Sequence, residues 1–224
     1  MKKFILLFLV ILNTVTVLAQ KQNITFRHLT TDDGLSQFSV NSLYVDEEGG
    51  IWIGTREGLN RYNGNNIKTF KLQKNNPNSL FCNTGDQKGK VYVLCTEGVA
   101  EFDLTTQKFT TLLQGKVTSI YFNERLFIGK KDEVYVFNKE TRNFDLTYHL
   151  AGKDISIACL HLDDKGNLWM GTENSGVYKL DKNKTLTHPI EKGNITNIYQ
   201  DSSKELWIGS WEYGLYHIDS EGII

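Results

Sequence analysis

Residues 51–62 read IWIGTREGLNRY, and close copies of this stretch return at 168–180 (LWMGTENSGVYKL) and 206–218 (LWIGSWEYGLYHI). Weaker copies lie at 91–102 (VYVLCTEGVAEF) and 126–137 (LFIGKKDEVYVF). A period near 40 residues, with apolar residues that alternate or run in short β-branched and aromatic blocks, is typical of a propeller blade of four antiparallel strands. The sequence therefore predicts an all-β fold, a β-propeller with about five four-stranded blades. The repeats are centred on aligned aromatics spaced 40, 35, 42 and 38 residues apart, which are Trp52, Tyr92, Phe127, Trp169 and Trp207.

The repeated positions have structural explanations. Each aromatic begins a strand and is expected to fill the wedge between neighbouring blades. A glycine two residues later is expected where backbones approach closely at the narrow inner part of a blade. A second glycine marks the following turn, where positive φ is needed. The first set is Gly54, Gly129, Gly171 and Gly209, and the second is Gly58, Gly98, Gly176 and Gly214.

The two ends of the chain bear on how the propeller closes. Residues 24–30 (ITFRHLT) are predicted to form a strand before the first full blade. Propellers often close by letting such a strand complete the last blade, which removes exposed sheet edges. The repeats favour an incomplete larger ring and leave a closed five-bladed ring as the alternative.

The first nineteen residues are predicted to be a secretory signal peptide. Two lysines at positions 2 and 3 precede an apolar run over 4–12, and small residues precede a cleavage point after Ala19. An uncleaved membrane anchor is the alternative, but the run is shorter than the about 20 residues that a spanning helix needs. The mature propeller is then expected over 20–224, in the periplasm.

Charge and cysteine content restrict partners and cross-links. The chain has 25 basic and 26 acidic residues, a formal charge of −1, which gives no basis for binding nucleic acid or anionic lipid. A hairpin turn centred on Lys88-Gly89 would place Cys82 opposite Cys95, and secretion would permit a disulfide there. Burial as two small apolar residues is the other interpretation.

Catalytic signatures are missing from the sequence. The five histidines have no metal-binding spacing, and no nucleophile elbow or phosphate loop occurs. The carboxylate pairs Glu47-Glu48 and Asp163-Asp164 fall in hairpin turns that we expect to be solvated. His161 and His217 fall in strands, where we expect satisfied blade residues. The sequence predicts no cofactor, no metal and no enzymatic activity.

Binding is easier to motivate, because loops from successive blades converge on one face of a propeller. The turns that follow the Trp-Ile-Gly-Thr units are expected to share that face. Exposed aromatics there would stack on sugar rings while polar side chains bind hydroxyls, although the aromatics would equally pack against a neighbouring blade. The candidate ligand-binding residues are Arg56, Glu57, Glu173, Asn174, Trp211 and Tyr213.

The opening FRHLTTDDGLS (26–36), followed by WIGTREGL (52–59), resembles the sensors of hybrid two-component systems of Bacteroidetes. The repeat unit is similar to their two-component regulator propeller repeat. Two departures occur: VLC at 93–95 replaces Ile-Gly-Thr, and the third repeat lacks the tryptophan. The resemblance implies a seven-bladed ring, incomplete here, in a periplasmic region that senses oligosaccharides. It also implies kinase, receiver and DNA-binding domains, which have no counterpart in these residues.

The expected function is thus that of a periplasmic ligand-sensing propeller module whose partner is an oligosaccharide or another sensor domain. The sequence does not determine its oligomeric state. A non-functional fragment of a split sensor gene is one alternative. A propeller lyase or glycosidase is the other, and it would need acid/base residues gathered on one face.

Overall fold

The computed structural model describes residues 25–72, 79–151 and 155–221, so the predicted signal peptide lies outside the described residues. Its strands form five antiparallel sheets, the blades, in which strands pair in sequence order from the innermost outward. Blade 1 comprises β1 (Val40–Val45), β2 (Ile51–Thr55), β3 (Gly58–Tyr62) and β4 (Ile67–Phe70), and blade 2 comprises β5 (Leu80–Gly85), β6 (Lys90–Cys95), β7 (Gly98–Asp103) and β8 (Lys108–Gln114). Blade 3 comprises β9 (Ser119–Asn123), β10 (Arg125–Lys130), β11 (Glu133–Asn138) and β12 (Asn143–His149).

Blade 4 comprises β13 (Ile157–Leu162), β14 (Leu168–Thr172), β15 (Val177–Leu180) and β16 (Leu186–Ile190), and blade 5 comprises β17 (Ile195–Gln200), β18 (Leu206–Ser210) and β19 (Gly214–Ile218). Blade 5 thus has three strands within the described residues, and the other four blades have four each. The innermost strands contact one another in chain order, β1 with β5, β5 with β9, β9 with β13 and β13 with β17. The predicted β-propeller fold is confirmed.

The blades pack through two chemically different faces. One face carries the aligned aromatic, and we call it the aromatic face; the opposite face, the aliphatic face, packs against the aromatic face of the preceding blade. Trp52, which is fully buried, lies with Val91, Val93 and Phe102 of blade 2 in one cluster. The same arrangement recurs where Tyr92 meets blade 3, Phe127 meets blade 4 and Trp169 meets blade 5. Burial of these apolar side chains between sheets is the main stabilising term of such an interface.

The two ends of this row of blades are open. On the aromatic face of blade 5, Trp207 is only half-buried and Leu215 is 63% exposed. On the aliphatic face of blade 1, Leu43 and Val45 are exposed. The equivalent side chains at the four interior interfaces are covered, so the described residues form an arc of blades with one free face at each end.

Glycines stand where the blades come closest. A Cβ on Gly171 would lie 2.5 Å from Sγ of Cys159 and 2.6 Å from Cγ2 of Ile195, the first residue of the next blade's inner strand. In the following turn, Gly176 has φ +66°, and a Cβ there would lie 2.0 Å from the Ile190 carbonyl oxygen. The sequence places glycine at both points because a side chain would not fit.

The segment before the first blade differs from its prediction. Residues 25–30 form no strand, and a short 3-10 helix follows at Thr31–Asp33. The segment is held to blade 1 by side chains instead: Leu35 is buried, and the Ser36 amide donates to Oδ1 of Asn60. Because its hydrogen bonds go to blade 1, this segment does not complete the last blade.

The predicted opposition of Cys82 and Cys95 is wrong, and all three cysteines are free. Cys82 faces Leu94, while Cys95 faces Leu80. Two local features cause the shift. The hairpin turn contains one residue more on its first side than the prediction assumed, and a β-bulge between residues 80 and 82 moves the register again.

Candidate functional site

The turns between the second and third strands of each blade lie at one end of the propeller, which we call the turn face. Backbone hydrogen bonds hold these turns to the neighbouring inter-blade connections. The Trp211 amide donates to the Asn194 carbonyl at 3.0 Å, and the Gly176 amide donates to the Gly193 carbonyl at 3.0 Å. In blade 3, the Lys131 carbonyl accepts from the first residue of β13 at 2.8 Å. The turns of blades 3, 4 and 5 are therefore held in place by backbone hydrogen bonds at this end of the propeller.

The aromatic candidates on this face are open to solvent. Trp211 is 77% exposed and Tyr213 is 51% exposed. The Tyr213 ring lies over Gly193, in the connection between blades 4 and 5. A Cβ on Gly193 would lie 2.9 Å from the edge of this ring, so the ring packs against the connection. Glu212, between them, accepts a hydrogen bond from the Asn194 amide at 2.9 Å. This turn is thus anchored at its base while its indole projects outward.

The polar candidates Arg56, Glu57, Glu173 and Asn174 are exposed as well. Within the described residues, no hydrogen bond or ion pair joins any two of the six candidate side chains. They share the turn face but belong to blades 1, 4 and 5. Blades 4 and 5 are neighbours, so Glu173 and Asn174 lie on the blade next to that of Trp211 and Tyr213, whereas Arg56 and Glu57 lie on blade 1.

A central cavity of about 700 Å³ is bounded by the innermost strands of all five blades. Its wall has amide, hydroxyl, thiol and imidazole groups among apolar residues, and no Asp, Glu, Lys or Arg. Within the described residues, the buried side-chain polar atoms without a partner are on Ser42, Asn83 and His161; these residues border the cavity, but the atoms themselves are closed off from it. Sequence reasoning missed the cavity, although the asparagine at a position that is Leu or Ile in the other repeats was a usable signal.

A second cavity of about 680 Å³ lies between blades 1 and 2, at the end opposite the turn face. Trp52 lies at its base beneath Arg61, whose guanidinium carbon is 5.6 Å from the ring centre. Arg61 donates to Asp46 at 2.9 Å and to Glu48 at 2.6 Å, and Asp46 accepts from the Trp52 indole at 2.8 Å. The cations and anions of this cleft therefore largely neutralise each other.

The aspartate–indole hydrogen bond recurs in blades 4 and 5, from Trp169 to Asp163 at 2.8 Å and from Trp207 to Asp201 at 2.9 Å. Asp163 also accepts from the Asn167 side chain and backbone. Burial alone would raise the pKa of Asp163, but these hydrogen bonds outweigh burial and hold the pKa below its usual value. The sequence predicted that both carboxylates of the Asp163-Asp164 pair are solvated. This prediction is wrong for Asp163, which is buried, and is confirmed for Asp164, which is exposed.

The two histidines predicted to be satisfied blade residues differ in their contacts. His217 Nε2 lies 2.8 Å from Glu205 Oε2 and its ring packs on Trp207, as expected of a satisfied blade residue. His161 differs from that expectation, because its buried Nε2 has no partner. Burial lowers the pKa of His161, which keeps the imidazole neutral at pH 7. The residues described contain no group of three His, Cys, Asp or Glu side chains that could hold a metal ion.

Among the described residues, no helix has the length and hydropathy needed to cross a bilayer. A family model described as "Two component regulator propeller" matches residues 34–57, 149–174 and 189–212. These ranges fall on blades 1, 4 and 5. These three stretches are similar to two-component regulator propeller repeats. Blade 2, where Val-Leu-Cys replaces Ile-Gly-Thr, and blade 3 up to Tyr148, where Phe127 replaces the tryptophan, are outside the matched ranges.

Parts of this chain are similar to longer proteins. Histidine kinase P4 of Formosa agariphila is 44% identical over 63 residues, which are 28% of this chain and 4% of that protein. The extracellular domain of the putative hybrid two component system BT4673 from B. thetaiotaomicron superimposes with a TM-score of 0.68 at 20% identity, over 88% of this chain and 28% of that one. Virginiamycin B lyase from Staphylococcus aureus gives 0.69 at 14% identity, over 88% and 70%. At these identities the structural likeness shows the propeller fold alone.

Proposed function

We propose that this chain is the ligand-sensing propeller module of a hybrid two-component regulator, placed outside the cytoplasm, and that it binds an oligosaccharide on its turn face. The observation that carries the proposal is the match of the regulator propeller repeats on blades 1, 4 and 5. The same three blades supply all six candidate residues. The curated relative is a histidine kinase, of which this chain spans 4%, so signalling belongs to the proposal rather than to these residues alone.

The chemistry of the turn face supports a sugar ligand. Trp211 and Tyr213 present two exposed aromatic side chains on one turn. A pyranose ring offers a flat patch of C–H groups that stacks on an indole, while its hydroxyls bind to polar side chains such as Glu173 and Asn174. Signalling further requires that the ligand bind one state of the receptor better than another. A partner domain must supply that second state.

A panel of oligosaccharides titrated into the purified mature chain by isothermal calorimetry tests the proposal. We expect at least one member to bind and Trp211→Ala to weaken that binding at least tenfold. The matched control is Phe26→Ala, because Phe26 is equally exposed but lies next to Arg27, which bonds to Tyr62 at the opposite end of blade 1. Binding by no member of the panel, or equal loss in both variants, would refute the proposal.

An enzymatic role gains no supporting observation. The solved lyases share the fold at 14% identity, which shows nothing about activity. Of the carboxylate pairs that the sequence offered, Glu47-Glu48 is exposed and Asp163 is bound to an indole. We therefore propose recognition and no catalysis.

A further inference from the structure

Blade 5 ends in a strand whose outer edge is unpaired. β19 pairs with β18 on its inner side, and no strand of the described residues pairs with it on the other. At the same place in each of the other four blades, the third strand pairs with an antiparallel fourth strand. The outer edge of β19 therefore offers a row of backbone N–H and C=O groups to which another strand can bind.

The outermost strands of the other blades are protected against such pairing. A charged residue or a proline on an edge strand commonly prevents it from adding a strand of another chain. Each of the four-stranded blades has such a residue in its outermost strand, namely Lys68 in β4, Lys108 in β8, Asp145 in β12 and Pro189 in β16. The sequence of β19 is Gly-Leu-Tyr-His-Ile, which contains neither a charged residue nor a proline. The edge of blade 5 therefore lacks the protection of the other four edges.

The side chains of β19 also favour an added strand. The third strands of blades 1 to 4 each contain a charged residue, and these are Arg61, Glu101, Glu133 and Lys179. In β19, Leu215 is 63% exposed instead, and Tyr216 is half-buried. An added strand would cover part of Leu215 while it bonds to the backbone, so apolar burial and hydrogen bonding would act together.

A second copy of β19 has the direction and the composition that this edge requires. Two β19 strands related by a two-fold axis run antiparallel, as every fourth strand of this chain does against its neighbour. The register that overlaps all five residues places Tyr216 opposite its own counterpart and Leu215 opposite His217 of the partner subunit. Aromatic residues that face each other across strands stabilise a pair, and like charges destabilise it. This register brings no Asp, Glu, Lys or Arg side chains of β19 together, because the strand has none.

We propose that two copies of this chain associate through their β19 strands. The three strands of blade 5 from each copy then form one six-stranded antiparallel sheet across a two-fold axis. Such a contact uses the same edge in both copies, so it closes at a dimer and leaves neither edge free. None of the six candidate ligand-binding residues of the turn face belongs to β19, so the association does not depend on ligand binding.

The first test is Leu215→Lys, which gives β19 the kind of residue that β4 and β8 carry. Sedimentation equilibrium of the purified mature chain should show a dimer that dissociates on dilution. The substitution should raise the dissociation constant about tenfold, because the symmetric contact contains it twice. The control is Leu146→Lys, the same substitution at a 55% exposed position of β12, which should leave the dissociation constant unchanged. Thermal melts of both variants establish that each is folded.

The second test locates the contact by cross-linking. In the proposed register, a cysteine at position 216 meets its own counterpart at a Cα separation of about 4.5–5.5 Å, which a disulfide spans. With copper phenanthroline and oxygen as the oxidant, Tyr216→Cys should form a covalent dimer, whereas Leu146→Cys should stay monomeric. The native chain provides a further control, because burial raises the pKa of the Cys82 thiol to about 11 and that of Cys159 to about 12, and Cys95 is buried.

Amide hydrogen exchange separates this dimer from the other ways of covering the edge. Exchange in β19 should slow as the protein concentration rises, while exchange in β12 should not change. A chain that stays monomeric at every concentration would overturn the proposal. Protection of β19 in a monomer would show that a segment of the same chain covers the edge. A dimer that Leu215→Lys does not weaken and that Tyr216→Cys does not cross-link would form through another surface, such as the exposed Leu43 and Val45 of blade 1.

Discussion

Replacing Asp163 by asparagine tests whether the aspartate–indole bond stabilises a blade. In the native chain, Oδ2 of Asp163 accepts from the Trp169 indole and the Asn167 amide, each at 2.8 Å. Asparagine keeps the volume but turns an N–H donor toward the indole N–H. The loss of a hydrogen bond to a charged group is worth about 1.5–3 kcal/mol, and a buried unpaired donor adds about 1 kcal/mol or more. We therefore expect Asp163→Asn to cost about 3 kcal/mol, or roughly 6–12 °C in melting temperature for a chain of this size.

The assay is urea unfolding followed by circular dichroism, with Asp164→Asn as the control. Asp164 is exposed and bonds to Gln200 on the surface, so its substitution should cost less than about 1 kcal/mol. The dependence on pH gives a second check. Since the folded pKa of Asp163 lies below its unfolded value, the ionised carboxylate stabilises the fold above about pH 4, and this stabilisation is lost as pH falls through the folded pKa. The gap between wild type and Asp163→Asn should therefore narrow in acid. Equal unfolding of the two variants at pH 7, or a gap that stays constant below pH 4, would refute the reasoning.

Three further outcomes follow from the same packing. Gly171→Ala should lose about 1–3 kcal/mol in thermal melts, because the new Cβ would lie 2.5 Å from Cys159 Sγ and 2.6 Å from Ile195 Cγ2; an unchanged melting temperature would mean that the blades can separate without cost. Cys159, whose thiol pKa is raised to about 12 by burial, should react with iodoacetamide at pH 8 about a hundredfold more slowly in the native chain than in urea, and comparable rates would contradict the raised pKa. Trp169→Phe should destabilise the fold by at least about 1 kcal/mol more than Trp207→Phe, because blade 5 covers Trp169 while Trp207 is half-exposed; a reversed order in urea titrations would contradict the open end.

The repeat made the fold predictable, because a propeller is one supersecondary unit copied several times. The aligned aromatics and glycines mark the points where copies touch, so their positions alone located the blade interfaces. The strand register inside one blade was harder to predict from the sequence. The cysteine pairing failed first because the hairpin turn holds one more residue on its first side than the prediction assumed, which sets Cys82 opposite Leu94. A β-bulge at the start of the inner strand, common to four blades, then shifts the register again without leaving a residue signature.

The site was harder to predict for a different reason. Asp163 is hydrogen-bonded to the indole of Trp169, six residues later in the chain. The turn motif alone does not predict this contact. Ser42 and Asn83 are 41 positions apart and meet only because adjacent blades pack at Gly54. The repeat placed the turn-face residues on a common end and in blades 1, 4 and 5, whereas the exposure of Trp211 and its backbone bond to Asn194 required the structure.

The arc of blades has a consequence for local opening. Blades 2, 3 and 4 are each sandwiched between two neighbours, whereas blades 1 and 5 have one neighbour each within the described residues. In such a linear stack, stability is roughly a sum of unit terms and nearest-neighbour terms, so the end units exchange most readily. Amide hydrogen exchange should therefore be slowest in β10 and β14 and fastest in β18 and β19. A molecule bound over Trp207 and Leu215 would slow exchange in blade 5 first, and the protection would then decay inward, blade by blade.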